Sequence, residues 1–270
     1  MHVATVRCFG AAPGFGNLAQ VIEDGPPAVE DRHALARASG HSAVVFLSPP
    51  DTGRWAWLAD YYYPHARSPL CLHASLAAAH VLRSRQRGAP VTLQTAMRGQ
   101  MLTLSGESGG TFARVRRQAV APIGIAAGLP ARLLGEPDLR LASPALLSSV
   151  GSPKLLLEVA DRAALYALKP PLADIVAWGK KNGVNGCYVY CRIGEHECEH
   201  EYEYEGRNFN HLDPAGEDSA TGVAAGALSA WLGRGLVMLQ GAMLGNPCRI
   251  VTRVDAKDIY IGGATEDGAL

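Results

Sequence analysis

Two stretches of this chain can form helices that have no polar face, and such a helix must be covered on every side. The first to stand out is Glu217-Asp218-Ser219-Ala220-Thr221-Gly222, followed by Val223, Ala224, Ala225, Ala227, Leu228, Ala230 and Trp231. A helix apolar all round is buried, and its Ala and Gly let neighbours approach the backbone closely. The acidic pair stands where a helix offers unpaired N–H groups and the positive end of its dipole. Ser219 or Thr221 can serve as its N-cap. A carboxylate at the mouth of a buried helix suits chemistry, although capping alone would also explain it.

The second stretch starts at His73 and runs through Ala74, Leu76, Ala77, Ala78, Ala79, Val81 and Leu82. Arg83, Arg85 and Arg87 at its far end suit the negative pole of the dipole. Around both helices the chain is cut into short strands, at 2–9, 18–22, 42–47, 55–63, 91–94, 101–105 and 111–117 in the first half. In the second half strands are expected at 155–159, 186–191, 236–240 and 249–254. Helices are expected at 29–38, 131–134, 144–149, 162–168 and 172–181, and fraying after Gly263. This grammar predicts an α+β protein of two similar lobes, each wrapping a curved, mostly antiparallel sheet around a central helix. The expected division is an N-terminal lobe over 1–120 with central helix 73–86, a crossover over 121–150, and a C-terminal lobe over 151–270 with central helix 220–233.

The 270 residues suffice for cores of that size, with 48% apolar residues and a mean hydropathy of +0.03. Lys plus Arg and Asp plus Glu number 25 each, which argues against a nucleic-acid binder relying on phosphate neutralisation. Six cysteines without small-domain spacing do not describe a disulfide scaffold. The N-terminal MHVATVRCF reads as a first strand rather than a signal peptide, and no apolar run is long enough to span a bilayer. A cytoplasmic protein without membrane attachment is the expectation. Between 195 and 205 Glu occupies every odd position, with His196, Cys198, His200, Tyr202 and Tyr204 on the even ones. In one strand the Glu face would be wet, and the spacing of His-Cys-His is awkward for one tetrahedral ion, so no metal is expected.

With both helices and their leading loops in view, the sequence resembles the PhzF-like phenazine-biosynthesis family, which has the diaminopimelate epimerase fold. The resemblance spans Phe9 to Gly263 and rests on the order and spacing of several elements. These are Gly16-Asn17, Phe46, Pro64, Cys71, His73-Ala74, Arg207, Phe209, Glu217-Asp218, Ala220-Thr221-Gly222, Gln240-Gly241, Gly245, Pro247 and Ile261-Gly262-Gly263. It implies a cofactor-free and metal-free enzyme, a homodimer, that moves protons on a small carboxylate metabolite in antibiotic or other secondary metabolism. It also implies a cleft between the lobes, with both helix N-termini facing an anionic substrate.

By the resemblance, Asp218 and His73 take the places of the family's catalytic Asp and His, and Gly222 that of a substrate-holding Gly. Thr221, Ser219, Leu72, Ala43, Ser42, His41 and Asn17 fall in the substrate-binding segments. The family's catalytic Glu lies in a Ser-Glu-Thr-x-Phe pattern, which here reads Ser42-Ala43-Val44-Val45-Phe46. Ala43 cannot take a proton. Leu72 replaces a Gly, Ser219 a Pro, Val223 a Ser, Arg7 an Asp and Arg67 a Glu. Asp218 is therefore expected to be the principal acid or base, sharing protons with His73. Cys71, just ahead of its helix where a thiol pKa can fall, and His211, at a position where the family has Pro, are further catalytic candidates. A cleft that binds a small acid without catalysis, as scaffold or sensor, is the alternative. No Gly-x-Ser-x-Gly elbow, phosphate loop or dinucleotide fingerprint supports other common chemistries.

Overall fold

The computed structural model describes residues 1–51, 53, 56–85, 87–107, 109–196, 201–210 and 217–268, and side chains at all of these except 194–196 and 201–202. The chain divides into two compact units, Met1–Val115 with Tyr260–Leu270, and Arg116–Ile259.

The first unit begins with β1 (His2–Cys8), β2 (Asn17–Glu23), α1 (Val29–Ala38), β3 (Ala43–Ser48), β4 (Trp57–Tyr62) and β5 (Arg67–Ser68). It continues with α2 (Leu72–Arg85), β6 (Val91–Thr95), β7 (Met101–Glu107) and β8 (Gly110–Arg116). β1 pairs antiparallel with β2, β2 parallel with β3, and β3 antiparallel with β4. The sheet continues through parallel β4–β6 and antiparallel β6–β7 and β7–β8. β3 has neighbours on both sides and is buried on both faces, which is why Ala43-Val44-Val45-Phe46-Leu47 is apolar without alternation. α2 packs against β1, β2, β3, β6 and β7, and its residues from Leu72 to Ala79 are all buried.

The second unit comprises α3 (Leu129–Leu134), β9 (Leu146–Ser148), β10 (Lys154–Glu158), α4 (Arg162–Ala167), α5 (Leu172–Asn182) and β11 (Cys187–His196). Then follow β12 (Glu201–Phe209), β13 (Glu217–Asp218), α6 (Gly222–Leu232), β14 (Leu236–Gln240) and β15 (Cys248–Asp255). Its strands run β9–β10–β11–β12–β14–β15, with β13 on the end of β12. α6 packs against β9, β10 and β15 and stops at Gly233, whose φ of 66° is a left-handed C-cap that glycine adopts without a Cβ clash. A second core of leucines and valines from α3, β10, α4, α5 and β11 lies under the helices. Each unit is thus a curved sheet around one buried helix, the α+β architecture expected from the two apolar runs.

Three local expectations change. Residues 144–149 were expected to be helical, but Leu146–Ser148 is strand β9, taken up by antiparallel pairing with Leu156–Lys154. The alternating segment 195–205 is not one strand: Glu195 pairs antiparallel with Tyr202 and His196 with Glu201, so its described ends belong to two different strands. Its Glu face is not uniformly wet either, because Glu205 is 3% exposed, held by Arg162 and by the Tyr166 hydroxyl. The described residues after Gly263, 264–268, do not fray. β16 (Asp258–Gly263) pairs with β8, and β17 (Thr265–Asp267) pairs with β1. His80 of α2 holds Thr265 Oγ1 and Asp267 Oδ1, each at 3.1 Å. The sequence reading ran the second lobe over 151–270, whereas these contacts give residues 260–270 to the first unit.

Overpacking should be the weak point of helices so enclosed. Ala78→Leu in α2 and Ala225→Leu in α6, both at positions with 0% exposure, should each cost about 1–3 kcal/mol. Urea unfolding should show a lowered midpoint at unchanged slope. Arg85→Ala, which removes a pair with Glu23 from a half-exposed side chain, should change stability by no more than about 1 kcal/mol.

Candidate active site

In the first unit the site is built at the start of α2. The Cys71 carbonyl accepts the Ser75 N–H at 2.9 Å and the Ser75 hydroxyl at 2.8 Å, which anchors the first turn. Tyr61, buried one strand away on β4, shares a 2.7 Å hydrogen bond with that same hydroxyl. The Cys71 side chain is left to the helix mouth, where its sulfur lies 3.3 Å from His73 Nδ1 and also meets the Ala74 N–H and the Tyr63 side chain. Burial alone would raise the thiol pKa. The facing His73 charge and these hydrogen bonds more than offset it, and the net shift is downward.

The other edge of His73 defines its tautomer. Ser42 Oγ lies 3.3 Å from His73 Nε2, and its single hydroxyl proton is given to the Leu18 carbonyl at 2.6 Å. The serine oxygen therefore accepts from Nε2–H, and in neutral His73 the bare nitrogen is Nδ1, which faces the Cys71 thiol. A proton can pass from Cys71 Sγ to His73 Nδ1, giving a thiolate beside an imidazolium. The His73 backbone is tied as well, its carbonyl accepting from the Cys8 thiol at 3.2 Å, and Asn17, opposite Cys8 in the β1–β2 pair, is buried.

In the second unit the site is built at the start of α6. Arg207 grips Glu217 with two parallel hydrogen bonds, Nε to Oε1 at 2.9 Å and Nη2 to Oε2 at 2.8 Å. Its remaining nitrogen donates to the carbonyls of Leu165 and Leu168, and its guanidinium stacks 4.8 Å from the Phe209 ring centre. Such a fork pins the short strand β13 in place. Asp218 is the next residue, so its side chain leaves the opposite face. Its carboxylate accepts the Thr221 hydroxyl at 2.7 Å and, more weakly, the Ala220 N–H at 3.4 Å. Thr221 stands at the N-cap of α6 yet makes no side-chain cap hydrogen bond, because its hydroxyl serves Asp218 instead.

Gln240 closes the loop from behind. Its amide nitrogen donates to the Asp218 carbonyl at 2.6 Å and to Thr221 Oγ1 at 3.2 Å, while its oxygen accepts from Thr221 N–H and the Tyr188 hydroxyl. Gly241 follows with φ of 83°, and a Cβ there would stand 2.7 Å from the Ser219 carbonyl and 2.2 Å from that of Asn246. Any side chain would push the acidic turn out of position.

The structure thus brings Cys71, His73 and Ser42 together in one unit, and Asp218, Ser219, Thr221 and Gly222 in the other. Leu72 and Ala43 are buried apolar neighbours, at 3% and 0% exposure. His41 is half-buried and donates its backbone N–H to Ser39 Oγ. His211 lies outside the described residues, as do Cys198, His200 and the side chain of His196. Among the described residues no cluster of three or more His, Cys, Asp or Glu could hold a metal, and no helix is long and apolar enough to cross a membrane. A groove of about 530 Å³ lined by Arg132, Trp178 and Lys181 involves none of the expected site residues. Arg67, where the family has Glu, pairs at 2.8 Å with the buried Asp60, which also holds Arg32 and Tyr62. Sequence reasoning missed Lys154 and Asn208, which lie behind the Asp218 segment of the second unit. A lysine at the start of an apolar strand run carries no signal of burial.

Comparison with known proteins identifies the family and the fold. A family model described as phenazine biosynthesis-like protein matches residues 6–264. The uncharacterised isomerase YddE of Escherichia coli K12 is 28% identical over 244 residues, covering 86% of this chain and 78% of its own. Among solved structures, a "Predicted Epimerase" of Pseudomonas aeruginosa is 25% identical with a TM-score of 0.79, covering 99% of this chain and 96% of its own. A PhzF-family protein of Bacillus anthracis is 20% identical with a TM-score of 0.80, covering 100% and 98%, which is a likeness of fold. The chain belongs to the PhzF-like, phenazine biosynthesis-like family, as a divergent member without the usual glutamate.

Proposed function

We propose that this protein is a cofactor-independent isomerase or epimerase-like enzyme acting on a small carboxylate-bearing metabolite of secondary metabolism. The reaction is a proton transfer that results in epimerisation, double-bond migration or cyclisation. One observation carries this reading: the mouth of each buried helix holds a proton-transfer group with its partners in place, Cys71–His73 on α2 and Asp218 on α6. Asp218 acts as the principal acid or base, and His73 returns or removes the second proton, drawing on Cys71. The N–H groups at the helix starts suit the substrate carboxylate and the enolate-like charge that forms beside it. Kinship with a protein named an isomerase supports the class of reaction. The family resemblance supports a homodimer.

The absence of a carboxylate at Ala43 favours a second reading, in which the protein binds a small acid and converts nothing. Incubation in deuterium oxide with a panel of small carboxylates bearing an acidic C–H separates the two. An enzyme places deuterium at one carbon, and tight binding without label or product supports the second reading. If the first holds, Asp218→Asn and His73→Ala should each cut exchange by about 10²–10⁴-fold with the fold intact. Unchanged rates in both would remove them from the mechanism.

The thiol can be followed without a substrate. The ultraviolet thiolate signal lost in Cys71→Ser should titrate, in the wild type, below the ordinary thiol pKa. In His73→Gln the same signal should move above it, since burial remains and the facing charge is gone. Cys187, Cys191 and Cys248, pushed up by burial to about 12, 11 and 12, stay outside that window.

A further inference from the structure

The groove on the second unit is built from parts whose ordinary explanations do not account for it. It lies between the segment leading into α3 and one face of α5, and its volume of about 530 Å³ is that of a small-molecule site. Ile123 and Ile125 pack on the second core, while Gly124, Ala126 and Gly128 line the groove. Neither glycine has the positive φ that favours this residue, and a Cβ at either would meet nothing within 4 Å. Backbone and packing therefore require glycine at neither position, and what the absent side chains leave is room.

The opposite wall is a single stripe of α5. Asp174, Ala177, Trp178 and Lys181 line the groove at i, i+3, i+4 and i+7, whereas Ile175 and Gly179 are buried. Trp178 packs on the core, and its carbonyl accepts the Asn182 side-chain amide at 2.8 Å, which steadies this end of the helix. Arg132 reaches the same groove from the last turn of α3. A basic residue in a last turn suits the helix dipole, and that alone would explain Arg132 or Lys181 taken singly. It does not explain why two helices bring their cations to one groove, where neither side chain has an ion-pair partner among the described residues. Asp174 is seven residues from Lys181, about 10 Å along the axis, so it does not neutralise that end. Two cations against one carboxylate leave the groove with a single excess positive charge.

We propose that this groove is a binding site for a planar aromatic carboxylate, whose ring lies along Trp178 over the glycine floor and whose carboxylate is taken by Arg132 and Lys181. An excess of one charge suits a monoanion. The guanidinium fork matches a carboxylate, and an indole beside small residues accepts a flat ring. Asp174 repels the anionic group from the N-terminal end of α5 and so gives the ligand one direction. The site uses none of Cys71, His73 and Asp218 and does not rest on the chemistry proposed for them.

Nitrogen-15 NMR of the indole N–H groups tests this, since the chain has four tryptophans and Trp178→Phe identifies the signal concerned. Titrating the full chain with 2-naphthoate at neutral pH should move that signal saturably. 2-Naphthamide, of the same shape without the charge, should bind about tenfold more weakly or worse. Arg132→Gln and Lys181→Gln should each weaken naphthoate binding by about three- to tenfold. Gly124→Leu, which fills the floor where no neighbour stands, should abolish the shift without lowering the urea midpoint. The proposal is overturned if about 10 mM naphthoate gives no saturable shift, or if the amide binds as tightly. Binding unchanged in both charge variants, or in a folded Gly124→Leu, overturns it as well. If inorganic phosphate alone moves the signal with equal affinity, no ring is recognised and the proposal fails. A Trp178 signal that follows protein dilution rather than naphthoate would make the groove a contact between two copies of the chain, which also rules the proposal out.

Discussion

A helix with no polar face dictates everything built around it. From Leu72 to Ala79, and from Ala224 to Ser229, α2 and α6 are buried at every position, so no side of either can be left to solvent. The sheet must curve, because a flat one covers a single side. In the first unit, strands from both ends of the chain complete the cover, with β17 laid against β1 and fastened to α2 through His80. The few polar groups inside are tied back locally. Ser75 bonds the Cys71 carbonyl, and Ser229 bonds the Arg234 carbonyl at 2.6 Å while accepting from Thr252. What remains open is the N-terminal end, where backbone N–H groups have no partner within the helix. An all-round apolar helix thus concentrates polar chemistry at its mouth.

Holding a reactive group at such a mouth requires its neighbours to be immobile, and ion pairs with little exposure do this in both units. Arg207 is spent on Glu217 and two carbonyls, which fixes the residue before Asp218 without touching Asp218 itself. Asp60, at 2% exposure, gathers Arg32, Arg67 and Tyr62 beside the segment leading to Cys71. Pairs this deep are weak evidence of net stabilisation, since removing charges from water offsets much of their attraction. Their value is geometric: a forked guanidinium accepts its carboxylate in one orientation. Glu217 and Asp218, adjacent in sequence and alike in charge, therefore have different work, one locked by arginine and one presented to the helix mouth.

The architecture was legible because its signals are local. The small-residue runs, their arginine-rich or glycine ends and the apolar β3 segment each state their burial in composition. Positions such as Glu205 were not legible. Alternation assigned it to a wet face, but the antiparallel pairing of β11 with β12 and a register shift between Arg192 and Gly194 rearranged the pattern, and Arg162 and Tyr166 arrive from α4. The helix expected at 144–149 failed for the same reason, since pairing with β10 outweighs the weak helical preference of so short a segment. Asp218 and His73 could be named from motifs. The buried amine behind Asp218 could not, because Lys154 meets Asn208 only through the side-by-side pairing of distant strands.

The substitution at Ala43 acquires a physical meaning once its surroundings are known. Ala43 has no exposure and lies opposite Ala19 in the β2–β3 pair, where a carboxylate would need a partner that the small apolar neighbours do not supply. The adjacent residue, Ser42, is exposed and reaches His73 instead. Ser42 cannot replace a glutamate as a proton carrier, but by spending its own proton on Leu18 it orients the imidazole and turns Nδ1 toward Cys71. In the proposed reading, the residue just ahead of β3, Ser42, sets the tautomer of the group that carries the proton. The proton-accepting groups then lie at the ends of α2 and α6, where helix dipoles favour negative charge on Cys71 and Asp218 alike.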